Sequence, residues 1–118
     1  MKKIILAAVL SVFAMSANAA PDYLDYKMVS CISLSEIANA VMSDWQAGTD
    51  KGDMLMNSMK YADILAAQNS ITKKEAAGFT FPMYMLATRE PVHLTAQYKY
   101  LAASEFAADF KVTCDSHQ

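Results

Sequence analysis

The feature that most constrains the fold is a pair of cysteines, Cys31 and Cys114, separated by most of the chain. In an oxidising compartment, two cysteines in a short chain most simply form one intramolecular disulfide. That bridge would close a loop of about 83 residues, for which the chain-entropy model gives about 4–5 kcal/mol of stabilisation. CxxC spacing is absent and there are only two histidines. We therefore expect a structural bridge rather than a redox or metal site.

The first 19 residues indicate that the chain is exported. Two lysines precede an apolar run, Ile4 to Met15, which is followed by the small-residue sequence Ala17-Asn18-Ala19. This order is typical of a secretory signal peptide that is cut between Ala19 and Ala20. The apolar run has about 12 residues, fewer than the roughly 20 that a membrane-spanning helix requires. The residue directly after the cleavage site is Ala20 and not a cysteine that could carry a lipid. We expect a periplasmic or secreted protein without a stable membrane anchor.

The charge balance argues against binding to nucleic acid. Removal of the signal peptide takes away two of the ten basic residues and none of the twelve acidic ones, which leaves a net charge of about −4. A mildly acidic chain with scattered lysines lacks the basic patch that nucleic acids or anionic lipids require. The remaining residues, about 99, suffice for one small domain.

The spacing of apolar residues predicts a chain of helices. Apolar side chains recur at intervals of three and four over most of residues 20–118, which places them on helical faces. The predicted helices cover 23–46, 53–68, a short segment after Thr72, 80–88 and 95–114. Cys31 and Cys114 both fall on core-facing stripes. The predicted fold is all-α: a small four- to five-helix bundle in a single domain over residues 20–118, tied by one disulfide.

Capping residues mark several of the predicted helix ends. Gly48 is expected to end the first helix, and Asp53 to be the N-cap of the second. Thr72 and Glu75 fit a capping box, in which each side chain bonds the other residue's backbone amide. The last helix is expected to begin around Thr95.

The stretch around Pro82 is open to two interpretations. Apolar residues alternate over 79–85, which fits a strand. Pro82 and the lack of a credible partner strand count against that interpretation. We favour a short helix that Gly78 interrupts, followed by a new helix with Thr80 as its N-cap and Pro82 in its first turn.

Methionine is abundant and raises the possibility of a copper site. Met54, Met56 and Met59 form one group and Met83 and Met85 another, and thioethers suit Cu(I). Residues two apart point in different directions on a helix, and methionine also fills irregular gaps in small cores. Core packing is the favoured interpretation, so we predict no cofactor. Envelope metal binding through methionine and histidine is the alternative.

Catalytic motifs are weak in this sequence. Gly48 and Gly52 lack the lysine and hydroxyl residue of a phosphate-binding loop. Glu36 and Asp44 are eight residues apart and thus share a helix face, as many solvent-facing pairs do. We therefore predict that the protein is not an enzyme, and keep a small enzyme as a further alternative.

Two residues near the start of the last helix are candidates for contact with a partner. Tyr98 lies two positions from Tyr100, which is expected on the core-facing stripe, so Tyr98 is expected to be exposed. Tyrosines are common in binding hot spots. His93 lies in the preceding loop, close to Glu90 and Arg89, and could contribute a small polar site.

Several of these residues follow a familiar order. A cysteine early in the first helix, a glycine at its end, a Glu-Pro junction, and a phenylalanine shortly before a final cysteine resemble a group of small exported two-cysteine helical proteins. Such proteins are common in phage, prophage and proteobacterial genomes. The residues that carry the resemblance are Cys31, Val41, Met42, Gly48, Met54, Glu90, Pro91, Phe110 and Cys114. The resemblance implies export and a helical fold, and it assigns no functional residue.

These observations predict a small exported protein that acts by binding. Its partner would be a protein of the cell envelope, and its role that of an inhibitor or immunity-like protein, for example. The prediction depends on export, small size, an acidic chain and one disulfide.

Overall fold

The computed structural model describes residues 20–118, so the predicted signal peptide lies outside the described residues. Within this range the chain forms a 3₁₀ turn and four α-helices, and no strand. The turn covers Tyr26–Met28, and the helices are α1 (Cys31–Gln46), α2 (Lys51–Asn69), α3 (Lys73–Ala87) and α4 (Ala96–Ser116). The prediction of an all-α fold with four to five helices is confirmed.

Each helix begins at a residue whose side-chain oxygen accepts a backbone N–H three positions on. The N-caps are Ser30, Asp50, Thr72 and Thr95. The predicted capping box of Thr72 and Glu75 is present in full, with N···O distances of 2.9 and 3.0 Å. The prediction of Asp53 as the N-cap of α2 is wrong. The N-cap is Asp50, whose side chain accepts the Asp53 backbone N–H at 2.9 Å. The earlier start places both carboxylates at the positive end of the α2 dipole.

The predicted first helix begins too early. Residues before α1 form the 3₁₀ turn, and Val29 and Ser30 are extended. Tyr26 is buried, its ring lies 5.9 Å from that of Phe79, and its hydroxyl donates a hydrogen bond to the Pro21 carbonyl. The chain therefore bends before α1, and the bend places Tyr26 in the core.

Gly48 ends α1, as predicted. It has a φ of +91°, which an L side chain rarely adopts. The Gly48 N–H donates to the Trp45 carbonyl at 3.0 Å, and the Thr49 N–H donates to the Asp44 carbonyl at 3.3 Å. This pair of bonds is a Schellman motif, which satisfies the last carbonyls of the helix.

The prediction of two short elements around Pro82 is wrong, because α3 runs through both Gly78 and Pro82. Its buried residues recur at helical spacing: Ala76, Phe79, Thr80, Met83 and Ala87. Proline inside a helix costs about 3 kcal/mol. Burial of the apolar members of this stripe offsets that cost, at about 1.5–3 kcal/mol for each large side chain.

Helix α1 occupies the centre of the fold. It packs chiefly against α4 and also contacts α2 and α3, while α2 and α3 pair with each other. The predicted disulfide is present: Cys31 starts α1, Cys114 lies in the last turn of α4, and their Cα atoms are 5.6 Å apart. At the other end of the pair, Lys99 of α4 contacts Gln46, the last residue of α1. Thus α1 and α4 run antiparallel.

None of the helices within residues 20–118 is both long and apolar enough to cross a membrane.

Candidate functional site

The candidate site is the loop between α3 and α4, residues 88–95, which we call the junction loop. It lies against the C-terminal end of α1 and is held there by side chains of that helix. Trp45 Nε1 donates to the Glu90 carbonyl at 2.7 Å. The backbone from Glu90 onward is therefore fixed to α1 and does not depend on its own short-range contacts alone.

Gln46 makes two further bonds to the junction loop. Its Nε2 donates to the Pro91 carbonyl at 2.9 Å, and its Oε1 accepts the His93 N–H at 2.9 Å. The side chain is buried, where an unpaired amide would be costly. Both ends of the amide are paired, so Gln46 acts as a buried clamp on the loop.

Lys99 completes the contact between α1 and the start of α4. Its Nζ donates to the backbone carbonyl of Gln46 at 2.6 Å. Helix α1 has no basic residue in its own last turn, so Lys99 supplies the positive charge that favours a helix C-terminus. The N-terminal end of α4 therefore lies beside the C-terminal end of α1.

Large apolar and aromatic side chains are exposed on this anchored segment. Leu94 is 98% exposed, Tyr100 71% and Tyr98 53%, and Val92 is also exposed. We call these four side chains the junction patch. Tyr100 also lines a shallow hollow of about 180 Å³ against the end of α1. Val92 and Leu94 lie on the loop itself, and Tyr98 and Tyr100 follow in the first turns of α4.

The structure brings together the two candidate residues from the sequence. The rings of His93 and Tyr98 lie with centroids 6.0 Å apart, and Tyr98 is exposed. Tyr100 is predicted on the core-facing stripe and is instead exposed, beside the C-terminal end of α1. The importance of Trp45 and Gln46 for this site has no sequence signal, since their partners are about 45 residues away.

The methionine groups are divided between the core and the surface. Met54 and Met83 are buried, whereas Met56, Met59 and Met85 are exposed. Each group is therefore split between two environments. Within residues 20–118, no three histidine, cysteine, aspartate or glutamate residues are grouped to hold a metal ion.

The Asp44 carboxylate joins α1 to α2. Its Oδ2 accepts hydrogen bonds from the Tyr61 hydroxyl at 2.7 Å and from Asn57 Nδ2 at 3.3 Å. Burial, followed by the hydrogen bond and charge of Asp44, raises the pKa of Tyr61 to about 12. At neutral pH Tyr61 is thus a protonated donor, and this cluster links two helices.

Comparison with protein-family models, with curated proteins and with solved structures gives no match. The resemblance to small exported two-cysteine proteins therefore stays a prediction. Function has to be inferred from the geometry of the junction.

Proposed function

We propose that this protein is a disulfide-tied helical bundle, exported to the cell envelope, that binds a protein partner through the junction patch. The observation that carries the proposal is Leu94, which is almost fully exposed on a loop clamped by Trp45 and Gln46. The predicted signal peptide at residues 1–19 supports export. The exposed side chains of the junction patch support a binding role.

The hydrogen bonds from Trp45 and Gln46 favour binding, because a loop that is already ordered lowers the entropic cost of association. Ordering a flexible loop opposes association, whereas a loop already held in one conformation avoids that loss. Tyrosines supply large contact area with few rotatable bonds and are enriched in hot spots. Leu94 would be an apolar anchor, next in sequence to His93, whose ring lies near that of Tyr98.

The net charge of the chain indicates the chemistry of the partner. Residues 20–118 carry about four more acidic than basic groups. Such a field raises the rate of encounter with a positively charged protein. The partner we propose is a basic envelope protein with an apolar pocket for Leu94, and an enzyme blocked by this contact fits an inhibitor or immunity-like role.

Site-specific crosslinking tests this proposal. A photoreactive phenylalanine is placed at position 94, and at position 112 in a control chain. Val112 suits the control because it is 67% exposed and lies near the opposite end of α4. Both chains are expressed with their signal peptide, irradiated in intact cells and examined for covalent adducts.

We expect one predominant protein adduct from position 94 and none from position 112. The adduct is identified by mass spectrometry, and the purified partner is titrated against Leu94→Asp and Val112→Asp chains. Leu94→Asp should weaken binding by about tenfold or more, while Val112→Asp should stay within about twofold. Equal adducts at both positions, or no adduct at 94, would contradict the proposal.

A further inference from the structure

The first described residue is joined to α4 by a polar contact. The backbone nitrogen of Ala20 donates to Asp109 Oδ2 at 2.7 Å, across 89 positions of sequence. Both residues are partly buried. In a chain cleaved after Ala19 this backbone would be the N-terminus, and the ends of a domain are poorly ordered unless something ties them down.

The nitrogen of Ala20 is also the atom that signal-peptide cleavage would alter. Cleavage between Ala19 and Ala20 adds water across the peptide bond, so the C–N bond breaks and the water oxygen joins the Ala19 carbonyl carbon. Ala19 leaves as a carboxylate, and Ala20 retains its nitrogen, which becomes a protonated amine at neutral pH. A neutral amide donor beside Asp109 thereby becomes a cation.

From this juxtaposition we infer that the new α-ammonium of Ala20 forms an ion pair with Asp109, so that processing itself strengthens the fold. The inference depends on the proposed export and cleavage, and is independent of partner binding. A charged donor makes a shorter and stronger hydrogen bond to a carboxylate than a neutral amide does. Only the processed chain, which has the charged amine, would gain this stronger hydrogen bond.

The surroundings of this pair favour a cation. The Tyr26 hydroxyl lies beside the same segment and donates to the Pro21 carbonyl. Its pKa is raised by burial and by the negative charges of Asp109 and Asp22, with a smaller contribution from Tyr23, so Tyr26 stays neutral. The ring of His117 packs on Tyr26 with centroids 5.4 Å apart. The Asp109 carboxylate thus contacts the Ala20 nitrogen, and the neutral phenol of Tyr26 bonds the next residue along the chain.

This pair would act together with the disulfide. Asp109 and Cys114 both belong to the second half of α4, and the disulfide and the charged form of the Ala20–Asp109 contact would both arise only after export. The precursor would lack the disulfide and the charged pair and would retain only the amide hydrogen bond to Asp109.

A thermodynamic cycle tests the ion pair. One chain begins at Ala20 with a free amine, and the other carries Gly-Ser before Ala20, which restores the amide and moves the charge away. Each is prepared with Asp109 and with Asp109→Asn, and Glu105→Gln serves as the control on α4. Thermal unfolding is measured for all six chains.

We expect the Gly-Ser extension to lower the Tm of the Asp109 and Glu105→Gln chains by about 4 °C or more. In Asp109→Asn the extension should change the Tm by only about 1 °C. An equal loss with and without the Asp109 carboxylate would overturn the inference, because the extension would then act by crowding alone.

The pKa of the amine gives a second readout. Titration of the Ala20 methyl signal by NMR should yield an α-ammonium pKa raised above its usual range, because the Asp109 carboxylate favours the charged form, and a return toward that range in Asp109→Asn. A pKa raised by folding means that the extra stability is present below about pH 8 and is lost as pH rises through the folded value. A normal pKa in the Asp109 chain would overturn the inference.

Intact mass of the exported protein separates the two proposals. An unprocessed chain that is not exported would contradict both the envelope function and the ion pair. A chain that begins at a residue other than Ala20 would overturn the ion pair alone. Processing at Ala20 with no coupling between the extension and Asp109 would likewise overturn the ion pair, and would not contradict the proposal of partner binding.

Discussion

A single buried amide, that of Gln46, decides whether the junction loop is fixed. The side-chain amide bonds a carbonyl and an N–H of the same loop, and the backbone carbonyl of Gln46 accepts from Lys99. Glutamine in an apolar environment is tolerated because every polar atom finds a partner. The same local sequence without this loop would leave Gln46 as an exposed end of a helix.

Substitution of Gln46 with alanine should therefore destabilise the protein. The change leaves the Pro91 carbonyl and the His93 N–H without their partners, and we expect a loss of about 2 kcal/mol. Urea unfolding measures this loss, and Gln68→Ala, at an exposed position of α2, should change stability by less than about 0.5 kcal/mol. Similar losses in the two variants would show that Gln46 is not a clamp.

At the scale of elements, helix ends follow local chemistry more closely than helix interiors do. The capping box at Thr72, the N-cap at Thr95 and the glycine after α1 are all readable from a few adjacent residues. The continuity of α3 is not, since Gly78 and Pro82 both disfavour a helix. Packing of Phe79 and Met83 in the core overrides these local preferences.

The two glycines at Gly48 and Gly78 should respond in opposite ways to alanine. Gly78 is exposed inside α3, and a Cβ there would meet nothing within 4 Å, so Gly78→Ala should stabilise the protein by about 0.5–1 kcal/mol. Gly48 has a φ of +91°, so Gly48→Ala should destabilise it by about 1 kcal/mol or more. Chemical denaturation of both variants checks the signs, and the same sign for both would refute this account.

At the scale of the whole molecule, α1 is held to its neighbours at both ends. The disulfide fixes its start to the end of α4, and the Lys99 contact fixes its end to the start of α4. The α2–α3 pair packs on the same central helix. Large apolar side chains of all four helices and of the 3₁₀ turn meet in one core.

Removal of the disulfide should cost much of the stability of this small domain. The chain-entropy model gives about 4–5 kcal/mol for a loop of this length, against about 5–15 kcal/mol for a typical folded protein. Replacement of both Cys31 and Cys114 with serine, or reduction of the wild-type chain, should lower the melting temperature by more than 10 °C, at roughly 4–8 °C per kcal/mol. An unchanged melting temperature would show that the bridge contributes little.

The sequence by itself determined the helical class, the disulfide pair and most helix ends, because each depends on spacing or on residues a few positions apart. Only the tertiary structure decided the bend before α1, the continuity of α3 and the exposure of Tyr100. It also decided which residues hold the junction loop, since Trp45 and Gln46 meet partners about 45 positions away. Cys31 and Cys114 illustrate the difference. Their pairing was predictable because the chain has only two cysteines. The partners of the Gln46 amide were not, because every loop offers many equivalent backbone donors and acceptors.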